Sequence, residues 1–394
     1  MKYDRIILLI SGILAGMPAV HAQKTPQQPP NIGASFLLVN PDARSSGMGD
    51  AATGISPDAN SIFSNAAKIV FAGDWGASAT YSPWMWELNN YKSNMAFVSA
   101  YKNLNDNEGI GASMKYFNYG DVTFRDENGT ILQNYSPREF AIDGAYSRKL
   151  GEHMSMAITM RYVRSQLGQG SFNGLQQKPA SAVAGDVSYY YQNSKDYLDF
   201  SNRYCLGVSI TNIGTKLQYT DDSRQKSFLP MNLRIGGSYT FVHTGDHEFT
   251  LALDINKLLV PTPPLYDSTG LILKGQDPNR SVVNAIFSSF GDAPGGFGEE
   301  IREFTIGSGI EYAYRQCFFV RTGYFYENPH KGYRQHFTSG LGVRVANLQL
   351  DLAYLIPTSN SLRERRTLKF SLLYNIGRHT AATITPSVNP DITH

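Results

Sequence analysis

The sequence predicts an all-β fold: a transmembrane antiparallel β-barrel of about 14 strands with an N-terminal plug segment. Three observations predict it. The chain opens with an export signal, period-two alternation recurs from Trp75 to Ile376, and the connections between strand-like segments alternate between long and short.

Lys2 and Arg5 precede an apolar run over 6–17, Pro18 breaks that run, and Val20 and Ala22 stand at the two positions a signal peptidase reads. Residues 1–22 therefore read as a signal peptide, with Gln23 as the mature N-terminus. No cysteine lies near the cleavage point, which argues against a lipoprotein signal. Later apolar stretches are too short to cross a bilayer as helices. A chain without them is either soluble or crosses with strands.

Residues 23–31 are rich in Pro and Gln and read as a flexible leader. Residues 32–72 are mostly small. Asn40 and Pro41 mark a turn, Arg44 leads into Gly47, Met48 and Gly49, and Asn65 closes the stretch. The glycines allow tight turns and close backbone approach. Residues 56–67 suit one or two short helical turns started by Pro57 or Asp58. Residues 23–72 are thus expected to form a leader and a plug, residues 73–376 the barrel, and residues 377–394 a tail.

The strand-like segments are 75–81, 94–101, 110–117, 140–147, 154–164, 182–191, 204–212, 231–241, 248–256, 302–313, 317–326, 336–346, 348–355 and 367–376. In 248–256, Phe249, Leu251, Leu253 and Ile255 oppose Thr250, Ala252, Asp254 and Asn256. Asp143, Arg161, Asp186, Asp254 and Asp351 sit mid-strand on the less apolar face, which a membrane barrel turns to its lumen. A soluble sandwich would turn that face to water, and alternation alone does not separate the two. The connections do. Long ones (82–93, 118–139, 165–181, 213–230, 257–301, 327–335, 356–366) alternate with short ones, of which 192–203 fits worst. Outer-membrane barrels place long loops outside the cell and short turns in the periplasm.

The net charge is +2 from 35 basic and 33 acidic side chains, and no basic cluster is interleaved with aromatics, so nucleic acid is not an expected partner. Twenty-four Tyr, 21 Phe and 36 Gly suit interfacial aromatics and glycine-containing strands. Cys205 and Cys317 lie four strands apart and read as free thiols. No nucleophile elbow and no zinc-binding histidine pair occurs, so neither a catalytic nor a metal nor a cofactor site is expected. Contact with a protein or lipid partner is expected from the long loops, through Trp84, Trp86, Leu259, Pro261, Tyr266, Ile286, Phe287, Phe290 and Phe297. The tryptophans fit an interfacial girdle equally well.

The block from Asn40 to Gly54, with Asn65-Ala66-Ala67 downstream, resembles the start of the PorV (LptO) family, the outer-membrane component of Bacteroidetes type IX secretion. The resemblance implies a FadL-like barrel and a non-enzymatic shuttle. Cargo bearing a C-terminal signal domain would come from the translocon and pass to an attachment complex of the PorU sortase, PorZ and PorQ-like components. The same resemblance leaves two other roles, a transporter of hydrophobic compounds and an enzyme related to lipid A deacylation. It also implies contact with lipid or lipopolysaccharide.

Overall fold

The computed structural model describes residues 29–84, 93–125, 131–168, 170–172, 175–197, 200–222, 226–243, 246–358 and 366–377. The signal peptide, leader residues 23–28, Trp86 and the tail from residue 378 lie outside them. Fourteen strands close into one barrel. They are β1 Trp75–Pro83, β2 Asn94–Asn105, β3 Glu108–Asn118, β4 Arg138–Lys149, β5 Met154–Gln166, β6 Ala180–Asp196 and β7 Phe200–Gly214, followed by β8 Asn232–His243, β9 His247–Leu258, β10 Phe304–Tyr314, β11 Phe318–Tyr326, β12 Gln335–Val345, β13 Leu348–Pro357 and β14 Thr367–Ile376. Each pairs antiparallel with its neighbours in sequence, and β14 returns to β1 in the register Trp75↔Ile376 to Tyr81↔Phe370. Closure leaves no edge with unpaired backbone groups, which hydrocarbon would not solvate.

Burial decides between a soluble and a membrane barrel. Val98, Ile142, Ile158, Met160, Leu251, Leu253, Leu341 and Leu350 are exposed on the outer face. Asp143, Arg161, Asp186, Asp254, Glu311, Arg321 and Asp351 are buried. This inverts the pattern of a soluble protein and matches a lipid-facing wall.

The poorly fitting 192–203 connection resolves into strand. The β6–β7 ladder continues to Asp196↔Ser201, and the Tyr197 and Phe200 rings stack at 4.5 Å near its tip. Continuation of the ladder to this pair reduces the connection to residues 197–199. Strand β10 starts two residues later than the alternation suggests, because Ile301–Glu303 forms a 3-10 turn. Three long connections contain small hairpins of their own, such as Leu265–Tyr266 with Ile272–Lys274. Their strands are too short to carry a readable period.

The N-terminal segment forms four short turns, Ser35–Leu38, Ala43–Ser46, Ser61–Ser64 and Ala66–Phe71. Asp42 caps the second by accepting from the Arg44 and Ser45 amides at 3.1 and 2.9 Å, and Asn65 caps the last by accepting from the Ala67 amide at 3.1 Å. The third turn starts at Ser61, not at Pro57 or Asp58. The Asp58 carboxylate accepts from the Asn60 amide at 2.9 Å, which holds the chain in a turn before the helix begins.

Candidate functional site

The barrel wall supplies hydrogen-bond partners to a backbone that has little secondary structure of its own. Asp254 Oδ2 on β9 accepts from the Ala52 and Thr53 amides and the Thr53 hydroxyl at 2.9, 2.8 and 2.7 Å. Thr338 on β12 accepts from the Gly49 amide and donates to the Gly47 carbonyl, both at 3.0 Å. Ser371 on β14 accepts from the Ala43 amide, and Lys369 donates to the Asn40 carbonyl at 2.6 Å. Across the lumen, Ser99, Ser155, Ser209 and Ser238 donate to the carbonyls of Ala59, Ala67, Ser64 and Gly54. Buried backbone groups require such partners. Period-two alternation places Asp254 on the inner face, but it carries no sign of what that carboxylate bonds.

The block that carried the resemblance is the core of this seat. Arg44 makes paired bonds to Glu311 on β10 at 3.1 and 2.9 Å and reaches Asp58 at 3.2 Å. Glu311 also accepts from Arg321 at 2.6 Å, and Arg321 donates to Asp351 at 2.7 Å. Asn40 donates to Ser45 Oγ and Asp50, Pro41 is buried, and Met48 is wholly buried. Asn65 donates to the Thr53 and Tyr189 carbonyls at 3.2 and 2.9 Å. Gly49 has φ +66°, and a Cβ on it would stand 2.5 Å from the Ser308 carbonyl oxygen. Gly47 is less tightly held, with a Cβ position 3.1 Å from Gly340 Cα.

At the end bearing the long connections, a solvent-open cavity lies between this segment, strands β8 to β11 and the 257–301 and 327–335 connections. Its walls carry Asp50, Arg234, Glu303, Glu327, Lys331 and Arg334 beside Leu38, Leu258, Val260 and Phe325. Glu327 is bonded to Arg334 at 2.9 and 3.0 Å. Glu303 accepts from Lys257 at 2.6 Å, Lys331 at 2.9 Å and Thr262 at 2.6 Å, and Lys257 also donates to Glu300 at 3.1 Å. Sequence spacing did not bring these residues together, because they come from five separate stretches of the chain.

This charge lattice pins both ends of the longest connection to the rim. Burial raises the Glu303 carboxyl's proton affinity, but Lys257 and Lys331 outweigh it and hold the group below its ordinary value. A depressed carboxyl gives stability that is present above the unfolded value, about 4.3, and lost as pH falls through the folded one. The protection factors of the backbone amides of residues 299–303, each taken relative to the intrinsic exchange rate at its own pH, are therefore expected to be lower below that window than at pH 7. Exchange mass spectrometry at the two pH values measures this, and equal protection factors would remove Glu303 as the anchor.

The candidate contact residues divide into two groups. Leu259 and Pro261 are buried, and Ile286 is half-buried against Phe228, Met231, Leu259 and Ala285. Trp84 is half-buried and meets the Phe117 ring edge-on at 5.4 Å. Tyr266, Phe287, Phe290 and Phe297 are exposed by 54, 76, 50 and 79%. Phe287 lies on the helix Val282–Ser288, which buries Ala285 and is capped by Ser281. Cys205 is buried and Cys317 exposed, and both are free thiols.

An apolar outer wall, a closed antiparallel ladder and a hydrogen-bonded filling together define a β-barrel protein of an outer membrane. Residues 23–265 match the family described as "Type IX secretion system protein PorV", and the chain belongs to that family. It is therefore an outer-membrane protein of type IX secretion, taking part in that machinery and its cargo traffic. The CymD monoaromatic hydrocarbon channel aligns with a TM-score of 0.48 at 10% identity, over 87% of this chain and 99% of that one. The P. putida toluene transporter TodX aligns at 0.47 and 13% identity over 85% and 98%. A Pseudomonas aeruginosa FadL homologue aligns at 0.42 and 11% over 89% and 100%. No curated protein sequence matches the chain.

Proposed function

We propose that this chain is a shuttle and docking module. It binds the C-terminal signal domain of secreted cargo, receives it from the translocon and passes it to a surface attachment complex containing a PorU sortase with PorZ and PorQ-like components. In this reading residues 1–22 are a removed export signal, residues 23–72 are leader and plug, and residues 377–394 are a tail after the barrel. The long connections face outward from the cell and the short turns face the periplasm.

The observation that carries the reading is the set of large apolar side chains displayed on the 257–301 connection while charge pairs buried at its base hold it in place. Exposed aromatics on a pinned loop cost little entropy to bury against a partner. A channel for hydrophobic compounds asks instead for an apolar cavity, and the one at this mouth carries six charged side chains.

The test is capture from the native cell with the full chain tagged in a long loop. Replacing Tyr266, Phe287 and Phe297 by Ser spares Phe290, which covers Lys257 at 5.6 Å. Recovery of cargo with C-terminal signal domains is expected to fall about tenfold at equal barrel level. Undiminished recovery would exclude this face as the cargo site.

A further inference from the structure

The lipid-facing wall has one feature that its role as a membrane anchor does not require. Along the fourteen strands the outward positions are apolar or neutral over most of their length. Exposed outward charges cluster at the short-turn end, where Glu108 accepts from Tyr146 at 2.7 Å and lies 3.7 Å from Arg148. At the long-connection end, Arg138 on β4 and Arg164 on β5 are outward-facing, and neither has a carboxylate within ion-pair distance among the described residues.

The two are neighbours. Arg138 pairs with Gln166 in the ladder, and Arg164 stands two residues from Gln166 on the same face. That diagonal relation sets the Cα atoms about 7–8 Å apart, close enough for two guanidinium groups to grip one anion. Arg164 donates to Ser181 Oγ at 2.8 Å, and the Tyr162 hydroxyl lies 3.2 Å from the same oxygen. The Phe140 and Tyr162 rings sit beneath at 6.2 Å, and exposed Ile142, Met160 and Val183 continue toward the middle of the membrane.

Unpaired arginine is costly in hydrocarbon and tolerated at the interface, where it meets headgroups. Arginine forks match phosphate oxygens with two parallel bonds. The serine and tyrosine hydroxyls and the Gln166 amide suit sugar hydroxyls. We propose that Arg138 and Arg164 form a binding site for the phosphate of an outer-leaflet phosphoglycolipid, whose acyl chains lie on Ile142, Met160 and Val183. The site rests on the outward orientation of the long connections and is independent of how cargo is held.

The test uses the purified full chain in micelles doped with lipid A, the same lipid treated with phosphatase, or phosphatidylglycerol, read by native mass spectrometry. Lipid A retention is expected to fall about tenfold in Arg138→Gln/Arg164→Gln and to hold in Arg148→Gln at the opposite rim. Arg164→Lys, which keeps the charge and loses the fork, is expected to fall between them. Equal retention by wild type and the double variant, equal retention of the dephosphorylated lipid, or preference for phosphatidylglycerol would each overturn the proposal. Cargo capture by the double variant separates the two readings: loss of lipid with cargo retained leaves the shuttle intact.

Discussion

Valine at Gly309 or Gly323 is expected to push residues 47–54 off their seat while the barrel itself stays closed. A Cβ at Gly309 would stand 2.5 Å from Met48 Cα and 2.4 Å from its carbonyl oxygen. At Gly323 it would meet the Gly49 nitrogen and the Met48 carbonyl carbon at 2.3 Å. These neighbours are backbone atoms and cannot swing aside as a flexible side chain would. Overpacking costs about 1–3 kcal/mol where side chains can adjust, and more where the chain must move. Gly144 on β4 has open space around its Cβ position and gives the matched control, Gly144→Val. Trypsin should cut at Arg44 in the Gly309→Val and Gly323→Val proteins reconstituted in vesicles. It should spare that site in wild type and in Gly144→Val, with the β-sheet circular dichroism unchanged. Protection of Arg44 in both glycine variants would refute the packing argument.

Removing Glu311 should destabilise the folded protein by about 3–5 kcal/mol, because it leaves two buried arginines short of a partner. Arg44 and Arg321 both bond to it at 2.6–3.1 Å, and the remaining acids, Asp58 and Asp351, each already serve one of them. The temperature at which the compact band on a detergent gel converts to the unfolded one should fall by about 5–15 °C in Glu311→Ala. Asp246→Asn breaks the exposed Arg315 pair at a short turn and should change that temperature little, since surface pairs contribute about 0–1 kcal/mol. Similar shifts in the two proteins would mean that the lumen charges are screened like surface ones.

The barrel was legible because its signal repeats. Phe249, Leu251, Leu253 and Ile255 set one face of β9, and thirteen other strands echo the pattern, so an error in one is corrected by its neighbours. The inner face was legible as polar, through Asp143, Arg161 and Asp351, but its pairings were not. Arg44 and Glu311 are 267 residues apart, and only closure of the sheet brings them together. The small residues at 40–54 announced close packing, while the glycines they meet, Gly307, Gly309 and Gly323, looked like ordinary strand glycines. Among the loop aromatics, composition marked Phe287 and Leu259 alike. The helix Val282–Ser288 separates them, turning Phe287 out while Leu259 packs against the helix's other face.

The way the N-terminal segment is held has a consequence for the order of assembly. Its amides and carbonyls are satisfied from β2, β5, β7, β8, β9, β12 and β14, so no partial sheet can accommodate it fully. Ala43 waits for Ser371, 328 residues later, and Asn40 waits for Lys369. Contacts of such sequence separation form late, after the loop-closure entropy has been met. A segment made before every barrel strand is therefore among the last to become native. Protection of Arg44 from protease serves as a clock for the final stitching of β14 to β1.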